Sequence, residues 1–126
     1  MNKPKPLIYV LDDEPMFCKA LSRLLISHGF EVRTFARGEE LLATCASKPP
    51  NCLLLDLHMP ELNGFEILER IDAKRVPALV ITGHDQPGNA ERVRALGAGD
   101  YFLKPVNEAQ LLAATRKALA QGQISN

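Results

Sequence analysis

Four groups of residues could do chemistry, and they recur in one order. Asp12-Asp13 follows an apolar run, Asp56 follows Leu53-Leu54-Leu55, Thr82 follows Leu79-Val80-Ile81, and Lys104-Pro105 follows Tyr101-Phe102-Leu103. Carboxylates hold hard divalent cations, and an ammonium with a hydroxyl can hold phosphoryl oxygens. Mg²⁺, or Mn²⁺ on a similar oxygen set, keeps part of its water shell and takes phosphate oxygen beside one or two carboxylates. An aspartate can itself be the nucleophile, giving an acyl phosphate, and with an ordinary pKa of about 3.9 it needs no base at pH 7. A dinucleotide site would place a glycine-rich turn after its first strand. Here that position reads Asp12-Asp13-Glu14-Pro15, three acids that repel phosphate and attract a cation.

Each of these groups stands where a buried strand would end. Leu7 to Leu11, Cys52 to Leu55, Ala78 to Ile81 and Tyr101 to Leu103 are short apolar runs bounded by turn residues, as strands covered on both faces require. Glu31 to Phe35 is a fifth candidate strand. Between the runs, Phe17, Ala20, Leu21, Leu24, Leu25 and His28 follow helical spacing, with Gly29 as a stop and Pro15 suited to the first position. Helices are expected over Gly38 to Ala46, over Gly64 to Ile71 after the turn from Pro60 to Asn63, and around Ala90, Val93 and Leu96 up to Gly97. A last helix starts near Asn107, where Asn107 and Gln110 have the offset of a capping box variant.

Strand and helix alternate five times. The expected fold is α/β, a doubly wound parallel sheet of five strands inside a three-layer sandwich. With strand order 2-1-3-4-5, the first and third strands are neighbours, and Asp12, Asp13 and Asp56 share one concavity at their carboxyl ends.

The 126 residues suit one domain, expected over residues 1–120, with 121–126 a flexible tail or the start of a linker. Fifteen basic residues balance fifteen acidic ones, which removes the general attraction that direct nucleic-acid binding relies on. No apolar run approaches the roughly 20 residues that span a bilayer, and Met1 to Pro6 is polar rather than leader-like. A cytoplasmic protein without membrane contact is expected. Cys18, Cys45 and Cys52 are odd in number and lack zinc spacing, so reduced packing thiols are expected.

In combination these residues carry a resemblance. Asp12-Asp13, then Asp56-Leu57-His58-Met59-Pro60 with Asn63-Gly64, then Ile81-Thr82-Gly83, then Lys104-Pro105 resemble the response regulator receiver domain of two-component signalling, a CheY-like, flavodoxin-like fold, over residues 7 to 120. The Thr82-Gly83-His84 and His58 choices are similar to FixJ-type receivers. The resemblance implies that Asp56 accepts a phosphoryl group, that Asp13 and the His58 backbone carbonyl join it on Mg²⁺, and that Asp12 acts mainly through a metal-bound water. It further implies a switch pair in Thr82 and Tyr101, a phosphate-pairing Lys104, a cis Lys104-Pro105 peptide, and tuning of the acyl phosphate by His58, Gly83 and His84. The implied partner is a sensor histidine kinase or phosphotransfer protein, with a homodimer or a C-terminal output domain as further partners. The implied activity is a signalling switch rather than an enzyme, catalysing only its own phosphorylation and slow dephosphorylation.

Each residue also has a plainer reading: Asp56 as a turn acid, Asp12 and Asp13 as a solvated turn, Thr82 as a helix cap, Lys104 as a surface lysine, Tyr101 as half-buried filler, His58 and His84 as solvated loop residues. Two other functions stay open. A haloacid-dehalogenase-like phosphohydrolase uses similar groups, but its acids form an Asp-x-Asp pattern after the first strand, whereas Asp12 and Asp13 are adjacent. A pseudo-receiver would bind a partner without phosphorylation.

Overall fold

A computed structural model describes residues 4–72 and 75–124. The elements alternate in chain order: β1 (Leu7–Leu11), α1 (Pro15–Ser27), β2 (Glu31–Phe35), α2 (Gly38–Ser47), β3 (Cys52–Leu55), α3 (Gly64–Arg70), β4 (Ala78–Thr82), α4 (Asn89–Ala95), β5 (Asp100–Leu103) and α5 (Glu108–Ile124). The strands form one sheet in the order β2-β1-β3-β4-β5, and every neighbouring pair is parallel. This is the expected doubly wound sheet.

Strand alternation divides the apolar residues between two cores. Tyr9, Leu11, Leu53, Leu55 and Val80 face the layer of Leu41, Ile67 and Val93, which belong to α2, α3 and α4. Ile8, Val10, Leu54, Leu79 and Ile81 face Leu21 and Leu25 of α1 and Leu111 of α5. The continuous apolar runs are explained by this double coverage, since β3 and β4 are buried at every position. Burying one such leucine contributes roughly 1.5–3 kcal/mol.

At β5 the double-coverage reading needs correction. Tyr101 and Phe102 are half-buried and Leu103 is exposed, because β5 is an edge strand with β4 as its one neighbour. Smaller differences lie at element ends: β4 takes in Thr82, β5 begins at Asp100, and α3 stops at Arg70. Helix α5 continues to Ile124, into the segment expected as a tail, while Ser125 and Asn126, like Met1 to Lys3, lie outside the described residues.

Local signals account for several boundaries. Pro15 opens α1 where no amide is needed, and Gly29 lies just beyond its end at φ 91°. The Gln110 amide donates to Asn107 Oδ1 at 2.9 Å, giving one half of the expected box. A complete capping box stands at α3, where the Glu66 amide donates to Asn63 Oδ1 at 3.0 Å and the Asn63 amide to Glu66 Oε1 at 3.1 Å.

Candidate functional site

Backbone register puts the chemistry on one edge. Leu11 pairs with Leu55, so the next residues, Asp12 and Asp56, leave the sheet side by side. The Asp56 amide donates to the Leu11 carbonyl at 3.0 Å and the Asp12 amide to the Phe35 carbonyl at 3.0 Å, which fixes both backbones. On the far side Thr82 pairs with Leu103, and the Lys104 amide donates to the Thr82 carbonyl at 2.9 Å. The Lys104-Pro105 peptide is cis, as expected.

The side chains then converge. Carboxylate oxygens of Asp12, Asp13 and Asp56 all lie within 4.8 Å of one another, with Asp12 and Asp56 buried and Asp13 exposed. Lys104 Nζ reaches Asp12 Oδ2 at 2.8 Å, Glu14 Oε1 at 3.3 Å and Asp56 Oδ2 at 3.6 Å. Its ammonium also sits 4.2 Å from the Phe17 ring centroid. Three carboxylates thus face one lysine, with Asp13 beside two of them, and the local charge is negative. Glu14 and Phe17 are the contacts that sequence reasoning did not assign to Lys104; the acidic run signalled Glu14, but nothing signalled Phe17.

Burial and pairing act differently on the two ends of the central ion pair. Burial raises the Asp12 carboxyl above its ordinary range, and the hydrogen bonds from Lys104 and the Glu14 amide only partly offset it. Burial alone would lower Lys104, but the Asp12 hydrogen bond and the charges of Asp12 and Asp56 outweigh it, so the ammonium is held more firmly than usual. Both values are raised, but by opposite effects: burial prevails at Asp12, whose side chain is 2% exposed, and pairing prevails at Lys104, at 13%.

Hard oxygen donors with excess negative charge fit a hard divalent cation. A soft metal would need thiolates, and burial pushes Cys18 up to about 11 and Cys52 up to about 12. The three cysteines are free, and Cys18 donates to the Asp12 carbonyl at 3.3 Å.

Of the remaining expected residues, His58, Thr82, Gly83 and His84 connect to this pocket directly or through one another, and Tyr101 does not reach it. Thr82 is fully buried, and its Oγ1 accepts from the His84 amide at 3.2 Å; among the described residues no hydrogen bond joins it to Asp56. The His58 amide donates to Asp56 Oδ1 at 3.2 Å. The rings of His58 and His84 meet edge to face with centroids 4.7 Å apart. A Cβ added at Gly83 would meet only Lys104 Cδ at 3.7 Å, an ordinary contact, so packing alone does not demand glycine there. Tyr101 Oη donates to Asp85 Oδ1 at 2.8 Å, with Asn89 also in contact, and burial with that acceptor raises the phenol's pKa. Asp85 and Asn89 were not foreseen, since nothing in their spacing pairs them with a residue on a later strand.

The strand order and this carboxyl edge define the class, the CheY-like α/β domains. A structure of a response regulator receiver domain protein (CheY-like) from Methanospirillum hungatei superposes with a TM-score of 0.90 at 26% identity, covering 98% of this chain and all of that one. Response regulator protein TmoT of Ectopseudomonas mendocina is 34% identical over 94% of this chain and 55% of its own length. Transcriptional regulatory protein FixJ of Bradyrhizobium diazoefficiens is 34% identical over 92% of this chain and 58% of its own. The response regulator receiver domain family matches residues 8–116, and the chain belongs to that family. It spans about half the length of these curated relatives. Among the described residues no helix is long and apolar enough to cross a membrane.

Proposed function

We propose that this receiver domain is a phosphorylation-controlled switch of two-component signalling in the cytoplasm, with Asp56 as phosphoacceptor. The observation that carries the reading is the placement of Asp56, buried at the end of β3 with Asp12, Asp13 and the Lys104 ammonium around one small concavity. A carboxylate there attacks the phosphorus of a phosphohistidine on a sensor kinase or phosphotransfer protein. The new bond is O–P, the bond broken is P–N, and the imidazole leaves with the electron pair. When bound at Asp13, Asp56 and the His58 carbonyl, with Asp12 holding a water, Mg²⁺ or Mn²⁺ would neutralise phosphoryl charge.

Lys104 and Thr82 then have defined tasks. Phosphorylation adds roughly 1.5–2 negative charges to a site already rich in carboxylates, so the lysine is drawn to a new anionic partner and the buried hydroxyl is drawn inward. Tyr101 follows on the edge strand. The surface that responds spans about Ala90 to Leu119, where Leu103 is 47% exposed, a position suited to a homodimer or an output domain. The length of the FixJ relative, named a transcriptional regulatory protein, supports an output domain beyond a receiver of residues 1–120, with 121–126 leading into the connection. His58, Gly83 and His84 tune access to the acyl phosphate.

The test is incubation with acetyl phosphate and Mg²⁺ followed by intact mass. The expected result is a gain of one phosphoryl group that disappears in Asp56→Asn and with a chelator. An unmodified wild-type mass, under conditions that capture short-lived acyl phosphates, would turn the reading to a pseudo-receiver.

A further inference from the structure

We infer that His58 is a positioning residue that holds Thr82 away from Asp56 through His84, so that the two histidines form a latch opened by loading of the site. The inference rests on the phosphoacceptor reading above. Three contacts make one chain from Asp56 to Thr82. The His58 amide donates to Asp56 Oδ1 at 3.2 Å, which anchors the β3–α3 connection. His58 Nε2 lies 3.3 Å from the His84 carbonyl oxygen; a carbonyl only accepts, so Nε2–H is the donor. The His84 amide donates in turn to Thr82 Oγ1 at 3.2 Å. Ring contact between the histidines, at 4.7 Å and 72°, adds packing to the tie.

The consequence follows from connectivity. If Thr82 Oγ1 moves toward a group on Asp56 while the β4–α4 connection stays, it leaves the His84 amide. If the connection moves with it, the His84 carbonyl leaves His58, which the Asp56 contact holds in place. Only the second path gives up the His58 bond, so easier loading without the Nε2–H identifies that path as the one taken. On the opposite side, Asp85 accepts from Tyr101 Oη at 2.8 Å, so the same short connection is held from both flanks. Because both rings are exposed, the latch adds little to folding, and its effect falls on the balance between two arrangements of the loop.

Two substitutions separate the ring from the donor. His58→Phe keeps edge-to-face packing and loses the Nε2–H; His58→Gln keeps an N–H donor of similar reach and loses the ring. The His84 amide keeps its own bond to Thr82 Oγ1 in both variants, so its exchange in the free protein reports how firmly the connection is held: about five-fold faster in His58→Phe, where the carbonyl tie is lost, and close to wild type in His58→Gln. With saturating Mg²⁺, beryllofluoride as phosphoryl mimic is expected to bind about five-fold tighter to His58→Phe, because loading no longer breaks the latch, and His58→Gln is expected to restore the wild-type affinity. Unchanged exchange in His58→Phe overturns the latch. Faster exchange with equal or weaker beryllofluoride binding overturns it as well, since the tie would then not oppose loading. Failure of the wild type to bind beryllofluoride would count against the phosphoacceptor reading instead, and the exchange measurement alone would then decide whether the tie exists.

Discussion

At the amino end of the sheet, polar groups close on one another. Asn51 Oδ1 accepts from the Leu7 amide at 2.8 Å, the Asn51 amide donates to the Leu7 carbonyl at 2.8 Å, and buried Tyr9 donates its hydroxyl to the Lys48 carbonyl at 2.6 Å. At the carboxyl end, hydrogen bonding is equally complete, and among the described residues no buried side-chain polar atom lacks a partner. What differs is charge. The amino end is closed with neutral donors and acceptors, whereas Asp12, Glu14 and Asp56 share a single lysine with Asp13 close by. An edge can therefore satisfy every hydrogen bond and still be electrostatically unbalanced, and that imbalance is what a divalent cation would act on.

The sharpest way to break this comparison is to treat the carboxyl end as ordinary core. Gly64 opens α3 against the loop after β3, and a Cβ there would stand 2.5 Å from the Asp56 carbonyl oxygen and 2.8 Å from Leu57 Cα. Both are backbone atoms and neither can swing aside. Gly64→Ala is expected to lower unfolding free energy by about 3 kcal/mol, near the upper end of overpacking costs, and to cut phosphorylation by displacing Asp56. Urea unfolding and the intact-mass assay read the two effects separately. A loss below about 1 kcal/mol would mean that this end yields as a solvated loop does.

Tyr9→Phe probes the other end. The ring stays in its core, against Phe35 at 5.1 Å, while the Lys48 carbonyl loses its donor. About 1 kcal/mol of stability should go, with phosphorylation retained, because the effect is one hydrogen bond far from the pocket. Reduced phosphorylation at equal folded fraction would show that the two ends are coupled through β1.

Much of the carboxyl edge was legible because its residues follow strands, and strands announce themselves as apolar runs. Asp12, Asp56, Thr82 and Lys104 each come directly after one, so parallel pairing was enough to gather them. The strand Glu31 to Phe35 and the helix expected over Gly38 to Ala46, which extends to Ser47, were legible through the alternation of elements and their bounding turn residues. Contacts made by loop side chains were not. The Tyr101–Asp85 bond and the His58–His84 contact depend on rotamers and on the paths of two connections, which no periodicity encodes. The Asn63–Glu66 capping box stands in the sequence at the correct offset, directly after turn residues that are the stronger local signal. The half-buried state of β5 lay in its edge place in the expected strand order and not in its composition, since Tyr-Phe-Leu reads the same at an edge as in the centre of a sheet.

The smallest expected effect concerns Asp12, and its sign sharpens the contrast between neutral and charged ends. Burial raises its carboxyl above the ordinary value of 3.8 in the folded chain. A raised folded value means that the native state takes the proton first. Its stabilising contribution is therefore fully present below 3.8 and is lost as pH rises through the folded value. Asp12→Asn removes this titration. Measured by urea unfolding in chelator, between about pH 4 and pH 7, the wild type should gain on Asp12→Asn as pH falls. Saturating Mg²⁺ should invert that trend, because a divalent charge beside Asp12 favours the carboxylate and draws the folded value downward, so stability is then lost on acidification. If the slope against pH is the same with and without Mg²⁺, the charge imbalance at this edge is not what a cation answers, and the carboxyl end differs from the amino end only in composition.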